Sequence, residues 1–305
     1  MKRTMLSIIL PNYNHAPYLK QRIDSILNQT YQDFELIILD DCSPDNSRNV
    51  IELYRGNPHI SHIVYNETNS GSTFKQWKKG IELAKGKYIW IAESDDYADI
   101  TFLEKVMTSI QKYNSAYCFV KTTIVDKENN TVKLQPAILH ENTMPLDEFT
   151  KEYLLFSNPV SNASMAVFRK DALDKAIWDH ITDFKYCGDW LLWACFIGNN
   201  QTTVSEVKEY LNFFRTHPVN VSNKSELNGL GIVEGFKISM LITKRLNIKR
   251  DKAFALKWYY KWQEHKLKFS YSSSLNKKIL IMFMKKQPRT AYYELKRLVL
   301  RLIKR

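Results

Sequence analysis

Short apolar runs that stop at polar or acidic residues alternate, over the first hundred positions, with stretches whose apolar residues return every three or four places. Residues 5–10 predict a strand that ends at Pro11, Asn12, Tyr13 and Asn14, after which Leu19, Ile23, Ile26 and Leu27 share one face of a helix. Residues 34–39 predict a second strand ending at Asp40 and Asp41, and residues 42–46 turn the chain into a helix through Leu53. A short strand near 62–65, a polar turn over 66–71 and an amphipathic helix to Ala84, closed by Gly86, lead into residues 88–92. That last run is almost wholly β-branched and aromatic, the pattern of a central strand buried on both faces. Four strands alternating with three helices predict a doubly wound βαβ sheet.

The run at 88–92 stops at Glu93, Ser94, Asp95 and Asp96, so three carboxylates sit at the carboxyl end of a buried strand. Ligands bind at that edge of open α/β sheets, and carboxylates packed so closely repel one another without a cation or a substrate donor. A divalent ion carrying phosphate oxygens, Mg²⁺ or Mn²⁺, is the simplest neutraliser. An Asp-rich cap for the helix predicted over 102–112 is the competing reading. The first strand is followed by neither GxGxxG nor GxxxxGK[ST], so a bound nucleotide has to be held by side chains and metal.

Further along, 117–126 and 131–134 predict two strands joined by a polar turn, then a helix over 146–156, a polar loop over 157–164 and a strand over 165–169. Asp189 falls at the start of a helix, where an acid commonly serves as an N-terminal cap. A strand at 204–207 precedes Asn212 to Pro218, which set Arg215 and His217 two residues apart after an aromatic pair. Residues 224–270 are helical, with Trp258, Tyr259, Tyr260 and Trp262 read as core between helices.

Composition narrows the class. With 305 residues, 44% apolar and 13% aromatic, the chain can bury a substantial interior. Its 4 cysteines are scattered without a CxxC pair, which argues against a zinc ribbon or disulfide framework and fits a reducing, cytoplasmic setting. The opening MKRTMLSIILPNYN ends its apolar run at Pro11 and reads as a strand, not a signal peptide. The net charge of +12 is uneven: residues 276–305 carry ten Lys or Arg against one Glu. There Leu295, Leu298, Val299, Leu302 and Ile303 recur at helical spacing opposite Lys296, Arg297, Arg301, Lys304 and Arg305. Such a helix either docks on the body or binds an anionic membrane surface; basicity confined to the tail argues against nucleic acid as the partner.

Several ordered motifs resemble one family. SIILPNYNHAPYLKQRIDSILNQTYQDFELIILDDCSPDNS, NSGSTFKQWKKGIELAKGKYIWIAESDDYAD, SNPVSNASMAVFRK, YCGDWLLW and NFFRTHPVNVS are similar to the family 2 glycosyltransferases of GT-A fold, especially the bacterial surface-polysaccharide type, over about residues 5–222. The resemblance implies an α/β fold with a Rossmann-like mixed sheet flanked by helices. It implies a catalytic domain over 1–222, its nucleotide-binding half about 1–98 and its acceptor half about 99–222, followed by a helical, basic extension over 223–305.

It further implies an inverting, metal-dependent glycosyltransferase that uses Mn²⁺ or Mg²⁺ and a nucleoside-diphosphate sugar, with UDP as the nucleotide. The acceptor would be a glycan or lipid-linked hydroxyl, reached at the inner face of the cell membrane. Position by position, Pro11, Tyr13 and Asn14 would line the base and ribose pocket, Asp40 or Asp41 would bond the nucleobase, and Lys75 would stand beside the nucleotide. Asp95 and Asp96 would hold metal and ribose, with Glu93 in place of the usual leading Asp. Asp189 would be the base, with Gly188 where a Glu is usual, while Arg215 and His217 would close over diphosphate and metal. Two other functions compete: a sugar nucleotidyltransferase, whose Gly-rich basic loop PNYN does not provide, and an anionic-surface or nucleic-acid binder working through the tail.

Overall fold

The computed structural model describes residues 5–216 and 227–303. They belong to two compact units, one formed by Met1–Phe149 with Pro159–His217 and the other by Thr150–Asn158 with Pro218–Arg305.

The first unit is built on a ten-stranded mixed sheet. Its strands are β1 (Leu6–Asn12), β2 (Phe34–Asp40), β3 (Ile60–Tyr65), β4 (Tyr88–Ile91), β5 (Tyr97–Ala98), β6 (Ser115–Val125), β7 (Thr131–Leu134), β8 (Thr143–Pro145), β9 (Ala166–Arg169) and β10 (Thr203–Arg215). The order is β3-β2-β1-β4-β9-β6-β10-β5, with β7 beside β6 and β8 beside β10. β3, β2, β1 and β4 run parallel, and β9 enters antiparallel between β4 and β6. The parallel strands are linked through α1 (Ala16–Leu27), α2 (Ser47–Glu52) and α3 (Thr73–Leu83), and α4 (Phe102–Tyr113) follows β5.

Every residue of β1, β2 and β4 is buried, as expected of strands covered on both faces. α1 buries Leu19, Ile23 and Ile26 on the predicted stripe, and also Arg22, a charge set among them. The register pairs Asn12 with Asp40 and Ile9 with Ile91, so the carboxyl ends of β1, β2 and β4 come to one edge. β1 extends through Pro11 and Asn12, which the sequence reading had placed in a loop.

The largest departure from the expected elements is β10. A strand over 204–207 followed by a loop is instead one strand of 13 residues, bent by register irregularities against β6. The helix expected over 146–156 is α-helical only over Leu146–Phe149 and continues as a π turn over Thr150–Leu154.

The second unit contains the helices Leu230–Arg245, Lys252–Lys268, Ser273–Lys286 and Pro288–Ile303. Its core holds Phe236, Trp258, Trp262, Ile279 and Phe283, with Phe283 edge-on to Phe236 at 4.9 Å and 5.5 Å from Trp262. Tyr260, expected inside, is 63% exposed. The tail is both docked and bare. Thr290, Ala291 and Glu294 are buried, and Glu294 accepts hydrogen bonds from Lys266, Gln263 and Arg297. Leu295, Leu298 and Val299 nevertheless stay exposed. Among the described residues no helix is long and apolar enough to cross a membrane.

Candidate active site

Where β1 and β2 end together, Asp40 becomes the anchor of a turn. Its carboxylate accepts from Asn12 Nδ2 at 2.7 Å, from Ser43 Oγ at 2.6 Å and from the Ser43 amide at 2.9 Å. Ser43 Oγ in turn accepts from the Asn14 amide at 3.0 Å, holding Asn14 in the left-handed region at φ 60°. Tyr13 projects beside it with 47% of its surface exposed, while Pro11 is buried in β1. Asp41 is fully engaged: Oδ1 accepts from Asn66 at 2.6 Å, the Ser70 amide at 2.9 Å and Gln76 at 2.9 Å, and Oδ2 from Ser70 Oγ at 2.7 Å. Of the two acids expected at the nucleobase, Asp41 shapes the 66–72 loop, while Asp40 holds the Ser43 turn and Asn12 of β1.

The loop that follows β4 gives its three carboxylates three different surroundings. Glu93 Oε1 accepts from the Trp77 indole at 2.7 Å, and dehydration by the surrounding protein, with Asp95 nearby, pushes its carboxyl up to about 8. Asp96 is buried, accepting from the Arg215 amide at 3.0 Å and from Asn162 Nδ2 at 2.8 Å; burial first and Asp95 second raise its pKa. Asp95 is 16% exposed, with its Oδ1 4.0 Å from His15 Nδ1, and the same ring nitrogen lies 2.8 Å from Ser94 Oγ.

Arg215 stands in a different place from the one expected of a residue closing over a diphosphate. It is 1% exposed, and its guanidinium donates to the carbonyls of Asp95, Asp126 and Lys127 and to the side chains of Gln21 and Asn129, at 2.8–3.2 Å. All five N–H donors are therefore used within the protein, and the guanidinium also stacks 4.5 Å from the Tyr18 ring. Its work is to fix the acid loop against α1 and the β6–β7 turn. His217, its expected companion, lies outside the described residues.

Asp189 is the second residue of the helix Gly188–Ala194, two places beyond the capping position at Cys187, and is partly exposed. Gly188 lies flat against Phe74 of α3: a Cβ there would stand 2.6 Å from the ring. That contact gives a physical reason for glycine where a glutamate is usual. Lys75 is exposed on α3, donates to the Ser70 carbonyl at 3.0 Å, and lines a cavity of about 240 Å³ with Ser70, Ser72 and residues 182–185. A larger cavity of about 810 Å³, around Lys85, Lys87 and Lys170, lies at the amino end of β1 and β4, away from the acids.

With this geometry in view, comparison with known proteins settles the family. Residues 7–177 match the family model described as glycosyl transferase family 2. The chain belongs to glycosyl transferase family 2. This family 2 chain is 28% identical over 162 residues to TuaG of Bacillus subtilis strain 168, provisionally named a teichuronic acid biosynthesis glycosyltransferase, covering 52% of the chain and 58% of TuaG. It is 28% identical over 200 residues to TarP of Staphylococcus aureus strain N315, named a poly(ribitol-phosphate) β-N-acetylglucosaminyltransferase, covering 64% of the chain and 58% of TarP. The match thus spans under two thirds of those relatives' lengths. Its fold is that of S. aureus TarS 1–349 crystallised with UDP, at a TM-score of 0.56 and 21% identity over 83% of this chain and 75% of that one.

Do the residues fit a divalent ion? Among the described residues of this family 2 chain, no three acid, His or Cys side chains converge closely enough to hold one. Asp96, expected as a ligand, is buried and bonded to Asn162 and to the Arg215 amide, and Glu93 is bonded to Trp77. Asp95 is partly exposed, at 16% of its side-chain surface. Mg²⁺ and Mn²⁺ are commonly held by one or two carboxylates together with substrate phosphates and water, so the set suits an ion that arrives with a diphosphate, not a standing protein cage. Sequence reasoning missed five residues that build this loop: Arg22, His15, Trp77, Asn162 and Ser164, whose Oγ accepts from the Glu93 amide at 3.0 Å. Asn162 and Ser164 lay in the loop flagged as polar; Arg22 was signalled only by a charge on an otherwise apolar helix stripe.

Proposed function

We propose that the chain is an inverting, metal-dependent glycosyltransferase that moves a sugar from a nucleoside-diphosphate sugar, UDP being the nucleotide, to a hydroxyl of a glycan or lipid-linked acceptor in bacterial surface-polysaccharide synthesis. The observation that carries this reading is an acid loop at the carboxyl edge of a βαβ sheet, with Asp95 partly exposed beside a turn that presents Tyr13 and Asn14.

On this reading Tyr13 offers a face for the base, Asn14 and the Asp40 turn shape the ribose side, and Lys75 stands at the anionic end. Asp95, with His217, would hold the divalent ion, which would supply positive charge against the charge developing on the departing diphosphate. Asp96 and Arg215 keep the loop in shape. Asp189 takes the proton from the acceptor hydroxyl as that oxygen bonds the anomeric carbon; the bond from that carbon to the diphosphate oxygen breaks, and the diphosphate leaves with its electron pair. Attack from the face opposite the leaving group inverts the centre. Catalysis is assigned to residues 1–222 and the helical extension to 223–305, whose exposed Leu295, Leu298 and Val299 beside Lys296 support seating on an anionic inner membrane face from the cytoplasm.

The test is a panel of nucleotide sugars with Mn²⁺ or Mg²⁺, scored by thermal stabilisation and slow donor hydrolysis, on the wild type, Asp95→Ala and Asp189→Asn. Asp95→Ala should lose metal-dependent donor binding. Asp189→Asn should keep donor affinity while transfer to an acceptor falls by about a hundredfold or more. Donor binding indifferent to metal and to Asp95, or near-normal turnover of Asp189→Asn, would defeat the assignment.

A further inference from the structure

Arg22 lies on the buried stripe of α1 with Leu19, Ile23 and Ile26, and is 0% exposed. Unlike Arg215, it donates no hydrogen bond: none of its three guanidinium nitrogens has a partner among the described residues. Its charge centre sits 4.7 Å from the Trp90 ring, which is itself stacked on Phe102 at 4.6 Å. Trp90 is in β4, three residues before the acid loop begins. A solitary buried cation costs several kcal/mol unless opposite charge lies close by, and the charges that act on this one are Asp96, Glu93 and Asp95, in that order. The acid loop is thus flanked by two buried arginines of different kinds. One clamps it through hydrogen bonds, and the other acts only through its field.

We propose that Arg22 is the resident countercharge of the acid loop, a positioning residue that supplies part of the positive charge a divalent ion would otherwise bring and so limits how tightly the free protein holds such an ion. With both arginines in place, the negative charge of the loop is already largely offset. A divalent ion added to that set overcompensates it, and becomes welcome when a diphosphate adds negative charge of its own. Arg22 therefore makes ion and donor bind together. The inference rests on reading residues 93–96 as donor-side acids.

The experiment measures Mn²⁺ affinity at pH 8 by electron paramagnetic resonance, without nucleotide, on the full chain and on Arg22→Met, Arg22→Lys and Asp95→Ala. Arg22→Met, close in volume and uncharged, should bind Mn²⁺ at least fivefold more tightly than wild type. Its melting temperature should rise with added Mn²⁺ while the wild type's does not, and Arg22→Lys should keep the wild-type affinity. Equal affinity in wild type and Arg22→Met, with Asp95→Ala abolishing it, overturns the role of Arg22 and leaves the donor-side reading standing. Mn²⁺ binding that ignores Asp95 overturns both. If Arg22→Met does not fold, Arg22→Met with Asp96→Asn decides: recovery of folding on removing the acid that acts most on Arg22 supports charge compensation, and failure to recover reduces Arg22 to packing and overturns the proposal.

Discussion

The Phe74 ring occupies the space in which a side chain at Gly188 would have to begin, 2.6 Å from the position of a Cβ. Phe74 is 4% exposed and meets Trp77 edge-on at 5.0 Å, so it has little room to retreat. Gly188→Ala should cost about 1–3 kcal/mol of stability, the usual range for overpacking. Combined with Phe74→Ala, which removes the ring in the way, it should cost less than the sum of the two single changes, a non-additivity that urea denaturation of the four proteins will measure.

Because Trp77 holds Glu93, the pH dependence of stability becomes a readout of the same contact. The Glu93 carboxyl moves from an ordinary 4.5 to about 8 on folding, so the folded chain binds a proton that the unfolded chain has released between those values. Its contribution is complete below about 4.5 and is lost as pH rises through 8. Melting temperature should fall across that window, and Glu93→Gln should flatten the fall. Trp77→Phe, which removes a hydrogen bond that lowers this pKa, should push the upper limit of the window higher.

Arg215→Met should be among the most destabilising single substitutions in the first unit, at about 3–5 kcal/mol, because it removes a buried guanidinium and its five hydrogen bonds at once. Arg215→Lys should recover less than half of that loss, since one ammonium cannot span carbonyls at Asp95, Asp126 and Lys127 and two side chains besides. Chemical denaturation separates the two.

Phe283→Ala should destabilise the helical unit by about 3–5 kcal/mol, the cost of emptying an aromatic site against Phe236 and Trp262. Truncation at residue 276 would remove both Phe283 and Ile279 from that core, so deletion of the tail is expected to unfold its unit; point substitutions are the cleaner probe of its surface.

Leu298 and Val299 are such probes, being 40% and 53% exposed. Changing both to Gln should weaken sedimentation with anionic vesicles several-fold while leaving the melting temperature within about a degree, because surface changes of this kind are usually worth under 0.5 kcal/mol. Equal sedimentation of wild type and variant would place the apolar face outside any membrane contact.

Much of the fold could be read in advance because β1, β2 and β4 are continuous apolar runs, and α1 and α3 carry stripes at helical spacing. β10 could not. Asn212, a polar residue that reads as a break, is fully buried there and donates to Thr122 Oγ1 at 3.1 Å, a partner ninety positions away. β5 and β8, of two and three residues, are strands only because β10 pairs with them. At the site, the acids were legible as residue types at a strand end, whereas which of them stays open was not. That depends on Asn162 and on Arg215, brought to the loop from 66 and 119 residues away.

That distance has a consequence for how the protein comes into being. At roughly 5–20 residues per second of synthesis, about 6–24 s pass between the emergence of Asp96 and that of Arg215. During this interval Glu93, Asp95 and Asp96 are already on a nascent chain whose first three strands can pair, while Arg215, which closes their loop, has yet to emerge. The acid loop is thus among the last parts of the first unit to take its final shape.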